Sequence, residues 1–234
     1  EWGYRLHLSP PRPDFELKVS PASLVLRPGR STAISVHARR RQGFAGPIEV
    51  SLIDPPPGMT LDGGWIAAGQ QSVRVTVTAP REIEPQLLQL RVTGEAVVDG
   101  EVVFRDATPS ENQMQAFLWR HLVPVQKMVA RINKGRAYIP QFEVAAELPL
   151  AIPLGGSLDV AVMTVGNLPD RATPKVALNS PPDGITLARV AHAEGGFMMT
   201  LQASDSALAV GYADNLIVDL EMEFEREDKE GNPR

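Results

Sequence analysis

Hydrophobic and polar residues alternate along much of this chain. In Ser31-Thr32-Ala33-Ile34-Ser35-Val36-His37-Ala38, the side chains of Ile34, Val36 and Ala38 fall on one side and those of Ser35 and His37 on the other, the period-two pattern of a half-buried β-strand. The same reading predicts strands over 15–20, 23–27, 31–39, 47–53, 72–79, 87–98 and 101–107, separated by Pro, Gly and Asp clusters at the spacing of a β-sandwich. Val97-Val98-Asp99-Gly100-Glu101-Val102-Val103 reads as a hairpin closed by an Asp-Gly turn. One segment departs from this period. Ser110-Glu111-Asn112-Gln113 has the form of a capping box, and Met114, Phe117, Leu118 and Leu122 follow at helical spacing up to Pro124, which predicts one short helix near residues 111–121. Met128, Ala130 and Ile132 then resume the alternation and predict a strand that completes the first sandwich.

The pattern is written twice. PPPGMTL at 55–61 returns as PPDGITL at 181–187, an offset of 126 residues, and the offset extends outward. Leu26 and Gly29 match Ile152 and Gly155; Ile34, Val36 and Ala38 match Val160, Val162 and Thr164; Val50 and Leu52 match Val176 and Leu178; Val75 matches Leu201; Leu90 and Val92 match Leu216 and Val218. An internal duplication is the economical explanation. Within the heptapeptide the prolines remove ladder donors and the glycine takes a backbone shape that other residues resist, so Pro56, Gly58, Pro182 and Gly184 are assigned to structural corners at strand exits. A polyproline docking site for an aromatic groove is the competing reading, and both the shortness of the run and its repetition favour the corner.

The expected fold class is therefore all-β: two tandem immunoglobulin-like β-sandwich domains joined by a short linker, Asn133-Lys134-Gly135, with one short helix. The expected boundaries are 1–14 for a leading strand from the end of a preceding domain, 15–132 for the first sandwich and 133–234 for the second. The second copy's strand from Leu216 to Phe224 runs into Glu225-Arg226-Glu227-Asp228-Lys229-Glu230-Gly231-Asn232, so its closing strand is expected to be trimmed or to lie beyond the residues given.

Composition fits this picture, since 234 residues suit two domains of about 100 residues each. The 21 Pro and 19 Gly favour turns over long helices. There is no cysteine, which removes disulfides and thiolate metal sites from consideration. No apolar run is long enough to span a bilayer as a helix, and the chain opens on Glu1 without a signal pattern, so it reads as a fragment of a longer protein with no membrane insertion of its own. Residues 1–134 hold 16 Lys+Arg against 13 Asp+Glu and residues 135–234 hold 7 against 15, so a weakly basic half precedes a strongly acidic one. The Arg39-Arg40-Arg41 triplet lacks interleaved aromatics and reads as a solvated strand end, which argues against nucleic acid as a partner.

The string YRLHLSPPRPDFELKVSPASLVLRPG, followed by RRQGFAGPIEVSL, PPPGMTL, VTGEAVVDGEVVFRDATP and MQAFLWRHLVP, resembles the Ig-like region that follows pre-peptidase C-terminal domains in large exported bacterial proteins. The resemblance covers nearly the whole first copy, while the second is similar only as a diverged Ig-like repeat. It implies a β-sandwich and export to the periplasm, the cell surface or the medium. It also implies the role of an accessory module, a spacer or a protein-interaction and adhesion unit, whose partners are the other domains of its polypeptide and a cell-surface protein or glycan. By the same resemblance Trp2 to Ser9 would be the last strand of a preceding domain. The motif from Arg41 through Gly43, Phe44 and Gly46 to Ile48 is its clearest feature, and the second copy replaces it with Gly166-Asn167-Leu168-Pro169-Asp170-Arg171-Ala172-Thr173-Pro174. No catalytic residue is carried over.

Reactive chemistry finds no support in the spacing of residues. His7, His37, His121 and His192 form no metal-binding pair, and neither a nucleophile elbow nor a phosphate loop is present. The expectation is a non-enzyme with no cofactor. Calcium is the remaining cation to weigh, because hard ions take oxygen donors and Asp219, Glu221, Glu223 and Glu225 alternate along one strand of the acidic half. Alternation with Leu220, Met222 and Phe224 is also what one wet strand face produces, and that reading is favoured. A carbohydrate or cell-surface ligand would need exposed aromatics. Trp65, after Asp62-Gly63-Gly64, and Phe44 are the candidates, with Trp65 as a cover for the sandwich end as the alternative.

Overall fold

The computed structural model describes residues 10, 12–115, 119–135, 141–165, 172–193 and 195–224, and these are all-β, with eighteen strands and no helix. The chain divides into two compact units, Glu1–Ala137 and Tyr138–Arg234. The leading strand expected before residue 10, the loop at 166–171 and Glu225 lie outside the described residues.

The first unit contains β1 (Asp14–Ser20), β2 (Ser23–Leu26), β3 (Ser31–Arg41), β4 (Ile48–Leu52), β5 (Thr60–Asp62), β6 (Trp65–Ile66), β7 (Ser72–Thr78), β8 (Leu87–Leu90), β9 (Val92–Val98), β10 (Glu101–Met114), β11 (Arg120–Pro124) and β12 (Met128–Ile132). Alternation decides which side of each strand is covered. Phe15, Leu17 and Val19 of β1, Ile34 and Val36 of β3, Val73, Val75 and Val77 of β7, and Val92 and Ala96 of β9 are all buried in one core. Each of these Val, Leu, Ile and Phe side chains contributes roughly 1.5–3 kcal/mol when fully removed from water. One layer runs β5-β7-β3-β1 and another β10-β9-β4-β6, as in a β-sandwich, while β2-β12-β8 forms a third, smaller sheet. The 14-residue β10 joins the first two. Its residues 101–106 pair antiparallel with β9, 107–109 parallel with β1, and 110–114 antiparallel with β11.

The helix expected at 111–121 is corrected by this pairing. Residues 110–114 and 120–124 are the arms of a β-hairpin, with Gln113 opposite His121 and the Gln115 N–H donating to the Trp119 carbonyl at 2.8 Å; residues 116–118 lie outside the described set. The side chains that suggested a cap are used elsewhere. Glu111 accepts the Ala22 N–H at 3.1 Å, and the buried Ser110 hydroxyl donates to the Thr108 carbonyl at 3.2 Å. Ser110 thus bonds back along its own strand and Glu111 to Ala22, between β1 and β2, instead of to the N–H groups that a helix start would offer.

The second unit contains β13 (Gln141–Val144), β14 (Ser157–Val165), β15 (Ala172–Leu178), β16 (Ile185–Ala193), β17 (Gly196–Ala203) and β18 (Val218–Phe224). Its sheet β13-β14-β17-β16 has the order of β1-β3-β7-β5, and its second sheet, β15-β18, has the pairing of β4-β9. The register agrees residue by residue there, since Glu49 faces Glu95 and, 126 positions on, Lys175 faces Glu221. The corners agree as well. Asp54 and Ser180 both have φ 45°, Gly58 and Gly184 have φ 77° and 90°, and the N–H groups of Met59 and Ile185 donate to Pro56 and Pro182 at 3.0 and 3.1 Å. A left-handed residue followed by a left-handed glycine is a costly local conformation for most sequences, and it occurs at the same two places in both units.

One match shifts. Ile34 faces Val75, whereas Val160 faces Met199, so β17 sits two residues out of the 126-residue frame and Val75 corresponds to Met199 instead of Leu201. A slip of two preserves the faces of a strand, and the apolar side stays inward.

Candidate functional site

The described residues that stand out on the first unit lie on the outer side of β10-β9-β4-β6. Val92, Gly94, Ala96 and Val98 of β9 point into the core, which turns Thr93, Glu95 and Val97 outward. Ile48 and Val50 of β4 do the same for Glu49 and Ser51. Gly94 is required where it stands: a Cβ there would lie 2.3 Å from Leu17 Cδ1 and 2.9 Å from Ile48 Cγ2, so β1 and β4 close over it. Register then sets the outer surface. Trp65 is opposite Glu49, Glu49 opposite Glu95, and Glu95 opposite Phe104, with the Val97–Val102 pair in the adjacent row.

Three strand spacings separate the ends of that row, about 14 Å from Trp65 to Phe104. Trp65 is 55% exposed, Phe104 57%, Val97 63% and Val102 55%. Two carboxylates directly opposite one another thus lie between two exposed aromatics, beside two exposed valines. Like charges in a cross-strand pair cost stability, and no ion pair to Glu49 or Glu95 is found among the described residues. The other unit places Lys175 against Glu221 at the same register, an attractive pair.

Next to this face, where β10 leaves β9 for β1, is an open cleft of about 330 Å³ lined by Leu90, Arg91, Asp106, Thr108, Gln126 and Lys127, among others. Arg91 and Asp106, both in its lining, pair at 2.8 Å. The lining residues include no histidine and a single carboxylate, Asp106.

Phe44 sits elsewhere. It is 7% exposed, stacked on Phe15 with ring centroids 5.4 Å apart, and covered by the Arg40 guanidinium 5.2 Å from its ring centre. A side chain so enclosed presents no surface to a ligand. Arg40 is not solvated as its triplet suggested. Its guanidinium donates to the carbonyls of Gln70 and Ala67, both at 2.9 Å, and of Gly46, and burial holds its pKa below the usual guanidinium value. The motif from Arg41 to Ile48 is thus pinned from beneath by the residue before it.

Asp219 accepts a hydrogen bond from the Asn179 amide at 2.8 Å, Glu221 lies in register with Lys175 and Glu223 with Thr173. Among the described residues no group of three potential metal ligands converges. Pro56, Gly58, Pro182 and Gly184 form the two corners already described. His37 is half-buried between Lys18 of β1 and Ser72 of β7, and burial, with the Lys18 charge, lowers its pKa from 6.5. Of the two aromatic candidates read from the sequence, Trp65 lies on the exposed outer face of β10-β9-β4-β6 and Phe44 does not. Val97, Val102 and Phe104 were missed, although the consecutive apolar residues Val97-Val98 and Val102-Val103-Phe104 break the alternation and mark a strand pair apolar on both sides.

Comparison with known protein families finds no match, and comparison with characterised protein sequences finds none either. Among solved structures, the chain is similar to one described as surface layer protein SbsC, domains 4-9, at 15% identity and a TM-score of 0.34. The likeness covers 82% of this chain and 27% of that one.

Proposed function

We propose that this chain is a non-catalytic accessory module made of two Ig-like sandwiches, part of an exported multidomain bacterial protein, which docks a protein partner on the outer face of β10-β9-β4-β6. The observation that carries the reading is the Glu49–Glu95 pair set between exposed Trp65 and Phe104. Contiguous exposed apolar area is uncommon on surfaces with no partner, and a like-charge pair inside it is relieved when a Lys or Arg from a partner is placed between the carboxylates. The aromatics then supply apolar contact and cation–π attraction around that charge. The resemblance of the first copy to Ig-like regions of exported proteins supports the remainder of the reading.

A photo-crosslinking residue at Val102, compared with one at Thr76 on β7, tests it in cells that produce the protein. The expected result is a discrete protein adduct from position 102 that is lost in a Glu49→Lys/Glu95→Lys background. Adducts from neither position, or equally from both, would discard the docking face.

A second reading rests on Trp65, whose exposed ring could serve as a stacking platform for a sugar. Quenching of tryptophan fluorescence by a glycan, saturable and absent from Trp65→Ala, would replace the first reading with this one.

A further inference from the structure

The cleft beside β10 forms where strands of the first unit change partners. β9 follows β10 as far as the Thr93–Asp106 pair, β8 follows β12 as far as Leu90–Met128, and Arg91 stands between β8 and β9. One step beyond Leu90–Met128 the antiparallel register puts Lys127 opposite Arg91, and two steps beyond Thr93–Asp106 it puts Thr108 there. All three residues line the cleft. Alternation separates its base from its walls: Leu90, Val92, Ala107 and Met128 are buried, while Arg91, Thr108 and Lys127 are exposed. Charge there is left unbalanced. Asp106, the one carboxylate in the lining, pairs with Arg91 at 2.8 Å. No ion pair to Lys127 is found among the described residues, and its register places it against a second cation, an arrangement that costs stability.

We propose that this cleft binds a carboxylate group, that of a small organic acid or of an acidic side chain on a partner. Lys127 supplies the uncompensated charge. Arg91 gives only its Nη2 to Asp106, and a guanidinium has five N–H donors, so others remain to turn to a second oxygen; the Thr108 hydroxyl is a further donor. The buried base keeps water from beneath these charges, where screening is therefore weaker than on an open surface. At about 330 Å³ the cleft lies at the small end of the range for ligand sites, which suits a group of a few heavy atoms. Two cations with one carboxylate leave a single positive charge, matched by a monoanion; phosphate carries more charge than the cleft offsets. Asp106 competes with the ligand for Arg91 and so limits its affinity. Trp65, Glu49, Glu95 and Phe104 are not among the lining residues, so this site is separate from the docking face.

Titration of the isotope-labelled full 234-residue chain, followed by NMR, tests the proposal with four probes: butyrate, a Gly-Glu-Gly tripeptide blocked at both ends, its Gly-Gln-Gly counterpart and inorganic phosphate. Butyrate and the Glu tripeptide are expected to shift the amides of Arg91, Thr108 and Lys127 saturably, and the Gln tripeptide to bind at least about tenfold more weakly. Tighter binding of butyrate names a small organic acid as the source of the carboxylate, and tighter binding of the Glu tripeptide names a partner's acidic side chain. Lys127→Gln should weaken both about tenfold. Asp106→Asn, which removes only an exposed ion pair and frees Arg91, should tighten both several-fold. No saturable shift with either carboxylate, equal binding of the Gln tripeptide or of phosphate, affinity unchanged in Lys127→Gln, or affinity unchanged in Asp106→Asn would each overturn it.

Discussion

At the scale of single residues, Gly94 shows how little room the core of the first unit leaves. A methyl group added there meets Leu17 Cδ1 at 2.3 Å and Ile48 Cγ2 at 2.9 Å. Gly94→Ala is therefore expected to destabilise the unit by about 1–3 kcal/mol, the usual cost of overpacking, seen as a lower urea midpoint at an unchanged slope; an unchanged midpoint would show that β1 and β4 yield freely. His37 gives a pH dependence. Its folded pKa lies below 6.5 because burial and Lys18 disfavour the charged ring. The unfolded chain then binds more protons, so stability is full above pH 6.5 and falls as pH drops through the folded pKa. Asp14 adds no slope until lower pH. Burial raises its pKa, but the hydrogen bonds from Arg105 and the Phe15 N–H outweigh that, and its pKa ends below 3.8. Between pH 7.5 and 5, a His37→Gln variant should lose less of its urea midpoint than the parent chain; equal losses would place the sensitivity elsewhere.

At the scale of elements, most strands were legible because each turns one side to water. Leu87–Val98 was read as one strand and is two, broken at Arg91, where β8 leaves to pair with β12 and β9 continues beside β10. The two-residue slip of β17 could not be read at all, because a period-two pattern is unchanged by a shift of two and Met199 and Leu201 are both apolar. The false helix has a different origin: Ser110 and Gln113 satisfy the local capping pattern, but the Ser110 hydroxyl bonds back to Thr108 and Gln113 pairs with His121 in a hairpin. Period two puts Arg40 on the side of Ile34, Val36 and Ala38, but it cannot show which carbonyls the guanidinium meets there. Leaving β3, Arg40 ties the loop after that strand to the loop before β7 through three carbonyls. Arg40→Gln should cost about 2 kcal/mol, from charge-assisted bonds lost and carbonyls left without donors. It should also raise amide exchange at Gly69, whose N–H donates to the Ala45 carbonyl at 2.9 Å; exchange confined to β3 would argue that the loops hold without it.

At the scale of the whole molecule, the duplication was legible from its corners, whose prolines and glycines are spelled alike and adopt the same left-handed backbone. The surface that distinguishes the copies was only partly legible. Trp65 was marked by its turn, but the Glu49–Glu95 juxtaposition depends on which strands become neighbours, and that is fixed by tertiary pairing. In the first unit β10 lies against both β9 and β1, whereas among the described residues their counterparts β18 and β13 in the second unit have one neighbour each. Residue-resolved hydrogen exchange on the full chain tests this most directly. Amides across β9 should be protected at successive positions from Thr93 to Glu95, where β4 lies on one side and β10 on the other. Along β18, protection should alternate from Val218 to Met222, with every second amide, the one turned away from β15, exchanging at nearly the open-chain rate. Continuous protection along β18, equal to that of β9, would contradict the account.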